Sequence, residues 1–263
     1  MAAPEEQQPA EPSLISPTLI GHLLEIRRRL LLAVATLFAI FACLFPFQNR
    51  VFEWVARPMI QRLPSGSSMI ATGVVSPFMT PMKLTLVVAL FLTVPVFLYH
   101  AWSFISPALY KRERRMFLPL LVSSVVLFYA GVAFAYFVLF PVAFAFLNAA
   151  APADVKVMTD INAYLDFVLT TFFAFGVAFE VPVAIVLAVW AGFTTPGKLR
   201  KFWRFALVGA FFFGFVLAPP DVVSMTLLAL PIYLLYELGM LMARIMVPGS
   251  REVDAQREAG GNA

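Results

Sequence analysis

Long apolar runs separated by short charged segments constrain the fold of this chain more than any other feature. The 263 residues are 61% hydrophobic and only 13% charged, whereas a soluble globular chain carries about 25% charged residues. A helix needs about 20 apolar residues to cross a bilayer, and several runs approach or exceed that length. The pattern predicts an all-α, polytopic membrane protein.

Six apolar runs predict six transmembrane helices. The first follows an amphipathic helix over residues 18–30, and the third ends at Pro141. The last two are short, at 205–217 and 222–236, and a Pro-Pro-Asp turn separates them, in which Asp221 can cap the second helix. The other four runs cover residues 30–45, 77–104, 116–140 and 164–190. This six-helix domain is expected to span residues 18–246, between disordered cytoplasmic tails at 1–17 and 247–263.

Basic residues orient these spans. Residues 106–115 form a short polar segment with four cations, and cations beside transmembrane helices collect on the cytoplasmic side. If both termini face the cytoplasm, 14 of the 19 lysines and arginines lie on that side. The distribution predicts a bacterial inner-membrane protein with both termini in the cytoplasm.

The sequence lacks the usual signatures of catalysis and metal binding. Cys43 is the only cysteine, and there is no GxSxG, HExxH or Walker motif. A zinc cluster or disulfide is therefore implausible. We expect a protein that is not an enzyme, has no cofactor and binds no nucleic acid.

One acidic residue lies deep in an apolar run. Glu180 is about ten residues from the inner end of the fourth span, roughly 15 Å deep at 1.5 Å per residue. An ionised acid there costs a few kcal/mol or more, so the carboxyl must be neutral, paired or in contact with a wet cavity. Pro182 can free a carbonyl and bend the helix at this point.

Two further acids lie in basic cytoplasmic segments. Glu25 can pair with Arg28 or Arg29 one helical turn further on, and Glu113 can pair within its own loop. The alternative is that the two carboxylates bind the guanidinium groups of a ligand, which carboxylates hold bidentately. The residues alone leave both interpretations open.

Five motifs occur in an order that resembles the TatC family, the receptor subunit of the twin-arginine protein translocase. The resemblance covers nearly the whole membrane part, from about residue 19 to residue 244. The motifs are HLLEIRRRL at 22–30, SPF at 76–78, FISPALY at 104–110 followed by ERR at 113–115, FGVAFEVP at 175–182, and PPD at 219–221.

The resemblance implies a receptor and core component that binds twin-arginine signal peptides and exports folded proteins, driven by the proton gradient. The implied partners are the single-span subunits TatA and TatB, the signal peptides and the lipid bilayer, with several copies per complex. The residues at the family's signal-binding positions are Glu25, Arg27, Phe104 and Glu113. Those at its outer, partner-docking positions are Pro58, Asp221 and Met225, and Met225 departs from the family's glutamine.

Two rival functions are compatible with the composition. A proton-coupled small-solute transporter could use Glu180 as its proton carrier, but such folds often show an internal repeat, and none is visible here. A purely structural scaffold would not need Glu180.

Overall fold

The computed structural model describes residues 17–53, 69–105, 117–150, 159–217 and 221–247. Predictions that concern Pro58, Glu113, the basic segment at 106–115 and most of both terminal tails lie outside these residues. The described part is helical, apart from a two-residue parallel pairing of β1 with β2. The all-α prediction is thus confirmed.

The described ranges contain helices and two very short strands, and residues 48–53 are also helical. Helix α1 is followed by a short 3-10 turn at Phe45–Phe47, and α3 is joined to α4 by a π turn at Ala135–Leu139. The elements are α1 Pro17–Leu44, β1 Met69–Ile70, α2 Ser76–Ile105, α3 Phe117–Phe134, α4 Phe140–Ala150, β2 Thr159–Asp160, α5 Ile161–Ala178, α6 Val181–Trp190, α7 Pro196–Lys201, α8 Trp203–Leu217 and α9 Val222–Met246.

Within the described ranges, five helical stretches are long and apolar enough to cross a membrane. They are Leu24–Glu53, Ser76–Ser103, Leu118–Phe146, Ile161–Trp190 and Val222–Met246. Helix α8 is apolar but has only 15 residues, which is about 22 Å against a hydrocarbon core of about 30 Å.

Three boundary predictions are wrong, and each error has a physical cause. The amphipathic stretch and the first span form one continuous helix, α1, because nothing at residue 30 interrupts its hydrogen bonds. The third helix does not end at Pro141. In the wide π turn just before Pro141, the Phe140 N–H donates to the Ala135 carbonyl, five residues earlier. The helix therefore tolerates the proline, which has no N–H to donate, and continues to Ala150.

The last helix is not short. The apolar run ends before Glu237, but α9 continues to Met246 and has 25 residues. The hydroxyl of Tyr233 donates to Oε1 of Glu237 at 2.7 Å. The acid that follows the apolar run therefore has a hydrogen-bond partner one turn earlier on the same helix. A helix can extend beyond its apolar run because backbone hydrogen bonds continue into the polar region.

The main core lies between α2, α3 and α5. Its fully buried side chains include Leu84 of α2 and Val168 and Phe175 of α5. A smaller core joins α6 to α9, where Ile185 and Val189 pack with Ala243. Helix α1 packs mainly on α2, and α8 packs mainly on α9.

Two glycines allow α3 and α5 to approach closely. A Cβ at Gly131 would lie 2.4 Å from the carbonyl oxygen of Phe175, and one at Gly176 would lie 2.5 Å from the ring of Phe128. Backbone cannot move aside as a flexible side chain can. The antiparallel register of these two helices therefore depends on the missing side chain at Gly131.

Replacing Gly131 by alanine should destabilise the protein. The added methyl meets backbone, and overpacking of this kind costs about 1–3 kcal/mol. Gly209→Ala is the matched control, since nothing lies within 4 Å of a Cβ there and alanine favours a helix over glycine. Reversible unfolding in detergent micelles measures both. Equal stability of the two variants would contradict the close-packing account.

Candidate functional site

Glu180 lies at a break between two helices. Helix α5 ends at Ala178 and α6 begins at Val181, with Pro182 in its first turn. Proline has no N–H, so the carbonyl of Ala178, four residues earlier, loses its helical donor. The prediction that Pro182 disturbs the helix beside Glu180 is confirmed. Glu180 is only partly buried, and its carboxyl makes no capping hydrogen bond to the backbone of α6.

Two side chains from neighbouring helices meet at this break. The hydroxyl of Ser124 on α3 lies beside the Glu180 carboxyl and interacts with it. The indole Nε1 of Trp102 on α2 donates to Oγ of Ser124 at 3.1 Å. Both Ser124 and Trp102 are buried. A polar chain thus runs from α2 through α3 to the acid between α5 and α6.

The carboxyl of Glu180 is only partly satisfied. Its Oε1 is buried and has no hydrogen-bond partner among the described residues. A buried acceptor left unpaired costs roughly 1–3 kcal/mol. The arrangement can therefore bind one further donor from a ligand or a partner, or hold a proton.

Glu25 forms the local ion pair that the sequence left open. Its Oε1 accepts from the guanidinium of Arg29, one turn along α1. The same guanidinium donates to the carbonyl of His100 at 3.3 Å, which ties this turn of α1 to the end of α2. The Glu25 side chain remains 44% exposed, so it is open to solvent despite this pair.

Arg27 points away from Glu25. Residues two apart do not face each other on a helix, and Arg27 lines a groove of about 470 Å³ with Leu24 and Leu31. Phe104 is the penultimate residue of α2, on the stretch that Arg29 contacts. The structure therefore brings Glu25 toward the end of α2 and does not pair it with Arg27.

The predicted cap at Asp221 is confirmed. Its Oδ1 accepts from the backbone N–H of Ser224 at 2.7 Å. That backbone hydrogen bond holds the pKa of Asp221 below its usual value. Met225, one turn further, turns its carbonyl toward Gly214 of α8, where a Cβ would lie 2.7 Å from it. At this residue α8 and α9 touch through their backbones.

A second polar cluster lies at the start of α5. Asp160 caps that helix, and its carboxylate also accepts from the backbone N–H of Thr72 at 3.3 Å. The hydroxyl of Thr72, with the backbone of Ala163 and Asn162, holds the pKa of Asp160 below its usual value. Asn162 donates to Ser76 at the start of α2. These bonds fix the starts of α2 and α5 together.

Sequence reasoning found Glu180 but missed Ser124 and Trp102. A serine within an apolar run was the available signal, but its direction depends on which helix packs against it. Among the described residues, no three histidine, cysteine or acidic side chains come close enough to hold a metal ion.

Comparison with known proteins shows the family of this chain. Residues 21–231 match the family "Sec-independent protein translocase protein (TatC)". The chain belongs to the TatC family. It is 56% identical to the Escherichia coli K12 protein "Sec-independent protein translocase protein TatC", over 89% of this chain and 90% of that one. It is 34% identical to the protein of the same name from Aquifex aeolicus, over 89% and 98%.

A solved structure shares the fold as well. The crystal structure of "Twin Arginine Translocase Receptor- TatC" superposes with a TM-score of 0.77 at 35% identity, covering 85% of this chain and 98% of that one. The chain is therefore a component of a Sec-independent protein translocase in a membrane. The resemblance seen in the five motifs is confirmed.

Changes at Glu180 should separate hydrogen bonding from charge. Glu180→Gln keeps a polar group beside Ser124, whereas Glu180→Leu leaves that hydroxyl without its partner. We expect the glutamine variant to retain more export of a folded reporter than the leucine variant. Full, equal export by the leucine variant would reject a polar role for this residue.

A double-mutant cycle tests whether Ser124 acts through Glu180. Ser124→Ala should cost more stability in the wild-type background than with Glu180→Leu, where only the hydrogen bond from Trp102 remains to be lost. The difference is a coupling of about 0.6–1.7 kcal/mol, as measured for other intramembrane hydrogen bonds. Ser123→Ala is the control, since that hydroxyl bonds only the Leu120 carbonyl of its own helix. Purely additive effects would show that the contact is incidental.

Proposed function

We propose that this TatC-family protein is the receptor and core component of a twin-arginine translocase. In this role it binds twin-arginine signal peptides and passes folded proteins across the bacterial inner membrane, driven by the proton gradient. The observation that carries the proposal is the match to a solved twin-arginine translocase receptor over 98% of that chain. Membership in a translocase family also disfavours the small-solute transporter as the rival function.

The membrane arrangement extends this proposal. Six spans, with α8 as the short fifth one, place both termini in the cytoplasm. The support is the distribution of basic residues together with the apolar character of α8, where Phe205, Val208 and Phe212 are exposed. The end of the bundle that carries Glu25, the end of α2, and α7 is then the cytoplasmic end.

The signal's paired arginines are proposed to bind Glu25 and Glu113, beside Arg27 and Phe104. The local pair with Arg29 does not prevent this, because an exposed pair four residues apart is worth only about 0.3–0.5 kcal/mol. The pair with Arg29 uses one oxygen of the carboxylate, whereas a guanidinium of the ligand can bind both oxygens bidentately. That second hydrogen bond is the proposed advantage of the ligand over Arg29.

Removing the two charges should weaken signal-peptide binding. We expect the double variant Glu25→Gln, Glu113→Gln to lose photocrosslinking to a twin-arginine signal while its level in the membrane stays normal. Glu53→Gln is the control, because it removes an exposed acid from the other end of the same span. A signal with paired lysines should also crosslink less, since lysine cannot bind bidentately. Unchanged crosslinking in the double variant would show that Glu25 and Glu113 do not bind the signal's arginines.

The single-span partners TatA and TatB are proposed to dock beside α8 and the start of α9. An apolar groove of about 430 Å³ lies between the third span and the start of α9, lined by Val138 and Val142 on the third span and by Val223 and Leu230 of α9. Asp221 caps α9 at the end of this groove. Pro58 and Met225 belong to this outer surface by the family's pattern, and several copies assemble into the complex.

The length of α8 gives a test of partner docking. A helix shorter than the hydrocarbon core costs a fraction of a kcal/mol for each Å of the difference. This cost favours either a partner helix that covers the short helix or local thinning of the bilayer. Four apolar residues inserted after Val208 add about one turn and nearly preserve the helix face. The variant should insert and still crosslink signal peptide, yet fail to recruit partners. Normal partner recruitment and export would mean that the short helix is incidental.

A further inference from the structure

The unequal lengths of the last two helices create a step at the end of the bundle. Helix α9 is ten residues longer than α8, about 15 Å at 1.5 Å per residue. The short helix α7 lies against this extra length, where the hydroxyl of Tyr236 donates to the carbonyl of Leu199 at 2.6 Å. The step is therefore a fixed feature with α7 on one side and α9 on the other.

A cavity of about 700 Å³ occupies the step. Arg200 of α7 and Arg244 of α9 line it, together with the indole of Trp203 and the phenol of Tyr233. Neither arginine is in an ion pair with any residue that the structure describes. Two guanidinium groups and two aromatic rings are thus arranged around a space large enough for a small molecule.

Glu237 also lines the cavity, and it does not cancel the positive charge. One of its oxygens accepts from the Tyr233 hydroxyl, and it is a single acid facing two arginines. Three exposed leucines of α9, Leu234, Leu238 and Leu241, also line the cavity. The cavity therefore combines two cationic side chains with an exposed apolar row along α9.

We propose that this cavity binds an anionic phospholipid, with the phosphate held by Arg200 and Arg244 and an acyl chain along the three leucines. Arginine binds phosphate bidentately through its planar guanidinium. Tryptophan and tyrosine favour the level of the lipid headgroups, and basic pockets between transmembrane helices on the cytoplasmic side bind such headgroups. The proposal does not depend on signal-peptide binding.

Native mass spectrometry of the full chain in detergent tests this directly. Phosphatidylglycerol should bind more tightly than phosphatidylethanolamine. Arg200→Gln should weaken phosphatidylglycerol binding roughly five-fold, and Arg200→Gln with Arg244→Gln about thirty-fold, from the usual contribution of one basic residue near anionic lipid. The Arg200→Lys, Arg244→Lys variant should retain an intermediate affinity, because it keeps the charge and loses the bidentate geometry.

Lys198→Gln with Lys201→Gln is the matched control. It removes the same number of positive charges, both from α7, the helix that carries Arg200. Both lysines are exposed, and neither lines the cavity. Equal weakening in both double variants would show diffuse attraction and overturn the proposal. Unchanged lipid binding in the arginine variant would also overturn it and indicate another occupant, such as a peptide segment of a partner.

Inorganic phosphate distinguishes a lipid site from a simple anion site. At matched ionic strength, phosphate should fail to displace phosphatidylglycerol, because it cannot use the apolar wall. Displacement by phosphate alone would mean that the arginines bind a free anion, and the lipid assignment would be wrong. Thermal unfolding of each variant without lipid confirms that the comparison is between folded proteins.

Discussion

A polar group left unpaired in hydrocarbon costs several kcal/mol, and the described helices show how this chain avoids that cost. The backbone is helical through the apolar stretches. Threonines on these helices donate their hydroxyls to the carbonyl four residues earlier. Five do so, namely Thr36, Thr85, Thr93, Thr171 and Thr226. Against this background, two buried side-chain oxygens of the described residues stand out as unpaired acceptors, Oε1 of Gln48 and Oε1 of Glu180.

The position of that acid depends on the close approach of α3 and α5. Gly131 meets the backbone of Phe175, and Gly176 meets the ring of Phe128. Continuing the same antiparallel register places Ser124 beside Glu180. Small residues promote such approach in membranes, where packing rather than hydrophobic burial drives association. Close packing and the polar site are therefore two results of one helix pairing.

Much of the fold and part of the site could be predicted from local sequence. The cap at Asp221 and the break at Pro182 follow from capping and proline chemistry. The end of the third helix could not be predicted, because a π turn just before Pro141 lets the helix continue past the proline. The pairing of Glu25 with Arg29 was one of two open alternatives, because an exposed charge pair is nearly neutral in free energy and local patterns do not decide it.

The sequence by itself determined that the chain is a helical membrane protein of the TatC family, because apolar length and ordered motifs are properties of the linear chain. Tertiary structure decided which polar groups meet. Trp102, Ser124 and Glu180 are far apart in sequence and touch only because three helices pack at one level. Arg200 and Arg244 line the same cavity only because α9 is longer than α8 and extends beyond its end. Such contacts depend on the lengths of the helices and on where they cross. Long-range packing determines both, and local sequence patterns carry no information about them.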